Sequence, residues 1–420
     1  MKLSKKIVAV LLALVLVFSF AACAADENSD NGANANSDLK IGIILVGDEN
    51  EGYSAAHING IKDAMTACGI TDDQVIWKYS IPEDETCYDT AVDLAEQGCN
   101  YIFSNSYSHQ SYMVQAAAEY PDITFCPATG DTAAVCGLSN VKNYFTQVYQ
   151  SRYVSGVVAG MKLKQLIDEG TITADQAKVG YVGAYPYAEV VSGYTAFLLG
   201  IQSIVPEATM EVRYTNSWFD ITAEGEAANA LIADNCIIIG QHADSTGAPQ
   251  AVQAAQDAGK LCYSVGYNID MLEVAPTAAL TSATNVWSVY YTYAFNCALN
   301  GEEIKTDWSE GFDTGAVAIT ALGESCAPGT AEKVEEVEAA IKDGSLKVFD
   351  TSKFTVKGEK VTSHTFDTTI TNFETGETIY AGQQYECIKT DDSGVSYFAE
   401  SEFRSAPYFD LRIDGITELN

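Results

Sequence analysis

Two ionisable residues, His242 and Asp244, stand at the end of the apolar run IIIGQHADSTG (residues 237–247), just before a Thr-Gly turn that opens a helix. Three chemistries use such a pair. A hydrolase would add a serine on a G-x-S-x-G elbow, and no such motif occurs in the chain. A zinc site would add further ligands at recognisable spacing, but the chain has 4 histidines and no H-E-x-x-H. The phosphate loop G-x-x-x-x-G-K-[ST] and the dinucleotide fingerprint G-x-G-x-x-G are missing too. Binding remains: Asp244 offers acceptors for ligand N–H and O–H groups, and the helix start offers backbone donors. No catalytic residue, cofactor or metal is assigned.

The elements that must position these residues alternate regularly. From residue 39, LKIGIILVG, VIWKYSI, YIFSNS and ITFCPAT read as strands, with helical patterns between them, the first closed by Gly69. After a long helical stretch from about 147 to 167 the pattern restarts with KVGYVG, MEVRYTN, CIIIGQHAD and KLCYSVGYN. Such alternation is the signature of a parallel sheet with crossover helices, here twice. The reading assigns lobe 1 to 39–145 with part of about 284–312, and lobe 2 to 146–283 with part of about 313–350. Residues 351–420, rich in Thr, Val and Phe with Gly turns, read as β-hairpins packed on one lobe.

Open α/β lobes bind at the carboxyl ends of their strands. The loops there are GDENEGYSAAH, SNSYSHQ and TGD in the first lobe, and GAYPYAE, TNSWFD, QHADSTG and GYNID in the second. Tyr53 and His57, four apart, share a helix face, where a ring can stack on a planar ligand and an imidazole can hydrogen-bond beside it. The competing account is a half-buried tyrosine and a capping histidine. Trp218 covers either an aromatic ligand or the interlobe surface, whereas Asp220 suits a helix N-cap. Asp131, Asn268 and Asp270 extend the polar set, although Asp270 equally suits a cap of the turn at MLEVAP.

The chain has 420 residues and a formal net charge of −34, which repels nucleic acid phosphates. The N-terminus joins a cationic MKLSKK to the apolar IVAVLLALVLVFSF and the small residues AAC, a secretory signal over residues 1–22. FAAC resembles a lipobox, which implies lipidation of Cys23 and a membrane anchor; residues 24–38 are polar and small and read as a tether. Ten cysteines follow, without a C-x-x-C, several in apolar runs. They read as mostly free buried thiols, with Cys126 and Cys136 as the candidate pair should one disulfide form.

Lipobox, tether and paired lobes resemble the substrate-binding lipoproteins of bacterial ABC importers. More narrowly, EGYSAAHINGIKDA, NYFTQVYQSRYVSGVVAG, RYTNSWFDITAEGEAANALI, GQHADSTG, GYNIDMLEVAP and TSATNVWSVYYTYAF resemble the basic membrane protein family, the purine nucleoside receptor A-like group. The resemblance implies a type I periplasmic-binding-protein fold with a hinge of three segments. It also implies a purine base or nucleoside as ligand and an ABC permease as partner, on the extracytoplasmic face of the cell membrane. By position, Tyr53 and Trp218 become the stacking pair, Asp244 and Asn268 the polar edge, and Tyr107 and His109 the contribution of the loop after the third strand. Two positions depart from nucleoside-binding members: Asn268 stands where an Asp is usual, and TSATNVW lacks a following Lys, which argues against a ribose grip. The rival reading is a sensor or adhesion lipoprotein for a sugar-like molecule or a protein partner.

Overall fold

The computed structural model describes residues 39–371 and 375–420. The signal segment, Cys23 and the tether lie outside the described residues. No described helix is long and apolar enough to cross a membrane.

In the first lobe β1 (Ile41–Ile44), α1 (Gly52–Cys68), β2 (Val75–Lys78), α2 (Glu85–Glu96), β3 (Tyr101–Ser104), α3 (Gln110–Glu119) and β4 (Thr124–Pro127) alternate. Their strands form a parallel sheet in the order β2-β1-β3-β4. All four residues of β1 are buried, because helices cover both faces of the sheet. Helix α1 stops where Gly69 adopts φ 69°, a left-handed turn that costs glycine little, and the Ile70 N–H returns to the Met65 carbonyl at 2.9 Å.

After β5 (Asn143–Tyr144) the chain crosses into α4 (Val148–Asp168) and the second lobe. There follow β6 (Lys178–Gly183), α5 (Ala188–Gln202), β7 (Thr209–Tyr214), α6 (Ile221–Ala233), β8 (Ile238–His242), α7 (Gly247–Asp257), β9 (Tyr263–Tyr267) and β10 (Ala279–Asn285). A second crossing sends α8 (Trp287–Asn300) back against α1, and β11 (Asp307–Trp308) pairs in parallel with β5. A third returns the chain to β12 (Val317–Ile319), antiparallel to β10, and then to α9 (Thr330–Lys342). One parallel sheet and one that is parallel but for its edge strand β12, joined by three crossings, are the architecture of the type I periplasmic-binding-protein fold.

Helices α4 and α5 pack at backbone distance. A Cβ on Gly200 would lie 2.1 Å from the Tyr153 carbonyl oxygen, and one on Gly156 would lie 2.2 Å from that of Phe197. Both obstacles are backbone, so neither can swing aside. Gly200→Ala is therefore expected to force the helices apart and destabilise the protein by about 1–3 kcal/mol, the usual cost of overpacking. Urea unfolding of the variant checks this; an unchanged midpoint would refute it.

All ten cysteines of the described residues are free thiols. The candidate Cys126–Cys136 bridge is not formed: Cys126 is fully buried in β4, while the Cys136 thiol turns to its own loop, 3.8 Å from the Ala133 carbonyl.

The C-terminal region is β-rich, built of short antiparallel pairs such as Thr365–Asp367 with Gln384–Glu386 and Ile388–Thr390 with Ser396–Phe398. Its Cys387, Phe398, Tyr408 and Phe409 enter the core of the second lobe. The last strand, Ile416–Glu418, joins that lobe's sheet beside β7. The expectation that the extension packs on one lobe is incomplete, since Arg404 and Ser405 bond to Asp131 and Asp307 of the first.

Candidate functional site

A cavity of about 450 Å³ lies between the lobes, at the carboxyl ends of both sheets. The first lobe lines it from the loop after β1, from Ser80 and Glu83, from Asn105 to Tyr107, and from Thr129. The second contributes Tyr185, Glu189, Ser217, Trp218, Phe219, Asp244 and Tyr267. The cleft is closed: the Gly52 N–H of one lobe donates to the Asp244 carbonyl of the other at 3.3 Å.

Aromatic rings supply much of the wall. Trp218 meets Tyr185 edge-on, with centroids 5.3 Å apart, and Tyr185 stacks on Tyr187 at 5.0 Å. Tyr107 of the first lobe approaches Tyr187 at 6.5 Å. Tyr53 stands on the first turn of α1, with its hydroxyl buried and unpartnered. The Trp218 loop is held because the Asp244 N–H donates to the Trp218 carbonyl at 2.8 Å and Asp220 caps α6 through the N–H groups of Thr222 and Ala223.

Of the residues singled out in the sequence, Tyr53, Tyr107, Trp218 and Asp244 line the cavity. Three others stand directly behind lining residues. The Asn268 amide donates to Asp244 at 2.8 Å, His242 lies 3.2 Å from Glu189, and Asp131 accepts from the Tyr107 hydroxyl at 3.3 Å. Three lie elsewhere. His57 is sealed in the first lobe's core, stacked on Trp287 at 4.0 Å and bonded to the Tyr291 hydroxyl. His109 is buried against the Ile81 carbonyl, and Asp270 caps a turn through the Leu272 N–H.

Glu51, Glu189, Tyr185 and Tyr267 also form part of the wall, and their only signal in the sequence is a place at or beside a strand's carboxyl end, Glu189 in the first turn of α5 and Tyr267 as the last residue of β9. Glu51 caps α1, accepting from the N–H groups of Tyr53 and Ser54 at 2.8 and 2.7 Å. Arg152 of α4 carries no such signal. It is buried beneath Tyr267, its guanidinium 3.7 Å from the ring centroid, and donates to the Gln241 carbonyl.

Burial sets the protonation of the site. It pushes Asp244 well above the usual carboxylate range, aided by the charges of Glu51, Glu224 and Glu189. Glu51 also rises through burial, and Glu189 is pushed up to about 7 by burial against the opposing charge of Arg152. Burial, then Arg152, pushes His242 well below the usual histidine range, so its contact with Glu189 is a hydrogen bond between groups driven toward neutrality.

These carboxyls, with Glu224 raised to about 7 and Glu400 to about 8 by burial, hold protons in the folded protein that the unfolded chain releases near pH 4.5. At these carboxyls the native state binds more protons across this window, and the stability they contribute falls as pH rises through it. His57, His109 and His242, driven below the usual histidine range by burial, act in the opposite sense up to about pH 6.5, where the unfolded imidazoles lose their protons. Carboxylates held below their ordinary range, such as Glu386, do so only below the window, so the raised carboxyls dominate toward pH 8. The melting temperature of the ligand-free protein is expected to be higher at pH 5.5 than at pH 8, measured by calorimetry at constant ionic strength. A flat profile would refute these assignments.

The closed interlobe cavity agrees with the family comparison. The model of the family described as ABC transporter substrate-binding protein PnrA-like matches residues 39–352. The chain belongs to this family. This PnrA-like protein is 32% identical to a purine-binding protein of Brucella abortus (strain 2308), over 79% of this chain and 91% of the relative. It is 33% identical over 62% of its length to a Haloferax volcanii protein, of which 61% is covered and which is provisionally named an ABC transporter glucose-binding protein. Among solved structures, a solute-binding protein from Aeropyrum pernix K1 superposes with a TM-score of 0.62 at 16% identity, covering 74% of this chain and 93% of that one. One from Conexibacter woesei gives 0.57 at 20% identity, with 74% and 98% covered. As a PnrA-like substrate-binding protein, it takes a small-molecule ligand outside the cytoplasm and serves an ABC permease.

Proposed function

We propose that this protein is a lipid-anchored receptor that captures a purine base or nucleoside between its lobes and delivers it to the permease. The observation that carries the reading is one closed cavity to which both lobes bring rings, Tyr53 and Tyr107 from one and Tyr185 and Trp218 from the other, with Asp244 at a polar edge. Flat rings grip a flat ligand by stacking, while acceptors read its N–H edge. The purine-binding relative from Brucella abortus supports the same class. Free bases suit the site better than nucleosides: the Asn268 side chain is occupied, donating to Asp244 and accepting from Asn285, and no Lys follows the TS of TSATNVW.

A sugar-like ligand is the second reading. Asp48, Glu51, Glu83, Glu189 and Asp244 line the cavity without a Lys or Arg among the lining residues, and acidic acceptors beside aromatic rings also suit sugar hydroxyls. Calorimetry of the mature protein with adenine, adenosine, guanine and glucose separates the two. Saturable one-to-one binding of a purine, tighter for base than nucleoside, is the expected result; binding of glucose alone would overturn the proposal. Anchoring is tested by Cys23→Ala, which should release the protein from membranes.

A further inference from the structure

We propose that the C-terminal extension beyond the family match is a strap that restrains opening of the cleft, and that its Arg404 positions the cavity wall. The family match ends at residue 352, which leaves the last 68 residues outside it. They are anchored in the second lobe, where Phe398, Tyr408 and Phe409 enter the core and Ile416–Glu418 extends the sheet.

From that anchor the segment around Arg404 reaches the first lobe. Arg404 Nη1 donates to Asp131 Oδ2 at 3.0 Å, with 14% and 7% of the two side chains exposed, so water screens the pair little. Ser405 donates to Asp307 Oδ1 twice, from its backbone N–H and its hydroxyl, at 3.0 Å each. Tyr380 packs on the first lobe's apolar cluster. Arg404 is held ready by the extension itself, over the Phe366 ring at 4.7 Å and against the Ala406 and Pro407 carbonyls.

These contacts run to both walls of the cavity. Asp131 accepts from the hydroxyl of Tyr107, a lining residue, and from the Gln110 amide at 3.0 Å. On the other side Arg412 donates at 3.4 Å to the carbonyl of Pro186, the residue that separates Tyr185 and Tyr187 in the chain. Separating the lobes pulls Asp131 and Asp307 away from a segment fixed to the second lobe. The bonds at Arg404 and Ser405 must break, and Tyr107 loses the ion pair that steadies its partner. The strap thereby stabilises the closed state and slows ligand release.

Small-angle scattering of the ligand-free full chain, compared with Arg404→Gln, tests the strap without any ligand. The variant is expected to show a larger radius of gyration, and Arg404→Lys to recover most of the compact form. The kinetic arm, which rests on the purine reading, uses adenine as probe and stopped-flow tryptophan fluorescence. Dissociation is expected to accelerate by about tenfold or more in Arg404→Gln, as when one member of a buried charge pair is removed. A purely structural role would lower the melting temperature and leave both readouts unmoved. Unchanged dimensions and an unchanged dissociation rate in a folded Arg404→Gln overturn the proposal. Should adenine fail to bind the unaltered protein, the ligand assignment falls and the scattering result alone decides the strap.

Discussion

Trp218→Ala is expected to weaken ligand binding by at least about 30-fold, which corresponds to about 2 kcal/mol, the level at which a buried aromatic anchor counts as a hot spot. The indole is half-buried in the cavity wall and braced edge-on by Tyr185 at 5.3 Å. Its backbone carbonyl, not its ring, accepts from the Asp244 N–H, so truncation removes the stacking surface while keeping the loop's main hydrogen bond. Trp218→Phe retains a smaller ring on the same backbone and is expected to recover part of the affinity. Calorimetry with the best-binding purine provides the measurement, and circular dichroism confirms that both variants fold. Full affinity in Trp218→Ala would remove the indole from the site and with it the main support for an aromatic ligand.

Phe409→Ala is expected to destabilise the protein by about 3–5 kcal/mol, in the range found for deleting a buried phenylalanine. Phe409 is fully buried and stacks on Phe349 at 4.3 Å, with Phe398 and Phe354 edge-on to it. Extension and second lobe therefore share one core, and a cavity at their junction cannot collapse without moving both. Urea unfolding should show the loss as a lower midpoint with an unchanged slope. A change below about 1 kcal/mol would mean that the extension rests on the lobe without contributing to its core.

The two lobes are legible in the sequence because their strands are short apolar runs separated by helical patterns, and that alternation leaves few arrangements other than parallel sheets with crossovers. Local chemistry is equally legible. Asp220 caps α6, Gly69 ends α1 and Asp270 caps its turn, since each needs only neighbours within a few residues. The loops that surround the cavity follow from one rule, that ligands meet such sheets at the strands' carboxyl ends.

Which side chains in those loops face the cavity is a different matter. His57 shares a helix face with Tyr53, yet Trp287 of α8 stacks on its ring and Tyr291 takes its Nδ1, closing it into the core. Arg152 reads as one more residue of a long helix until β8 and β9 place the Gln241 carbonyl and the Tyr267 ring against it. Asp131 reads as a ligand acceptor until Arg404, 273 residues further on, claims its carboxylate. By itself the sequence determined the fold, the helix ends and the loops that make the site, because hydrophobic periodicity and capping are properties of neighbouring residues. Only the tertiary structure decided which of those polar groups face the cavity, because burial and pairing there depend on partners brought from distant parts of the chain.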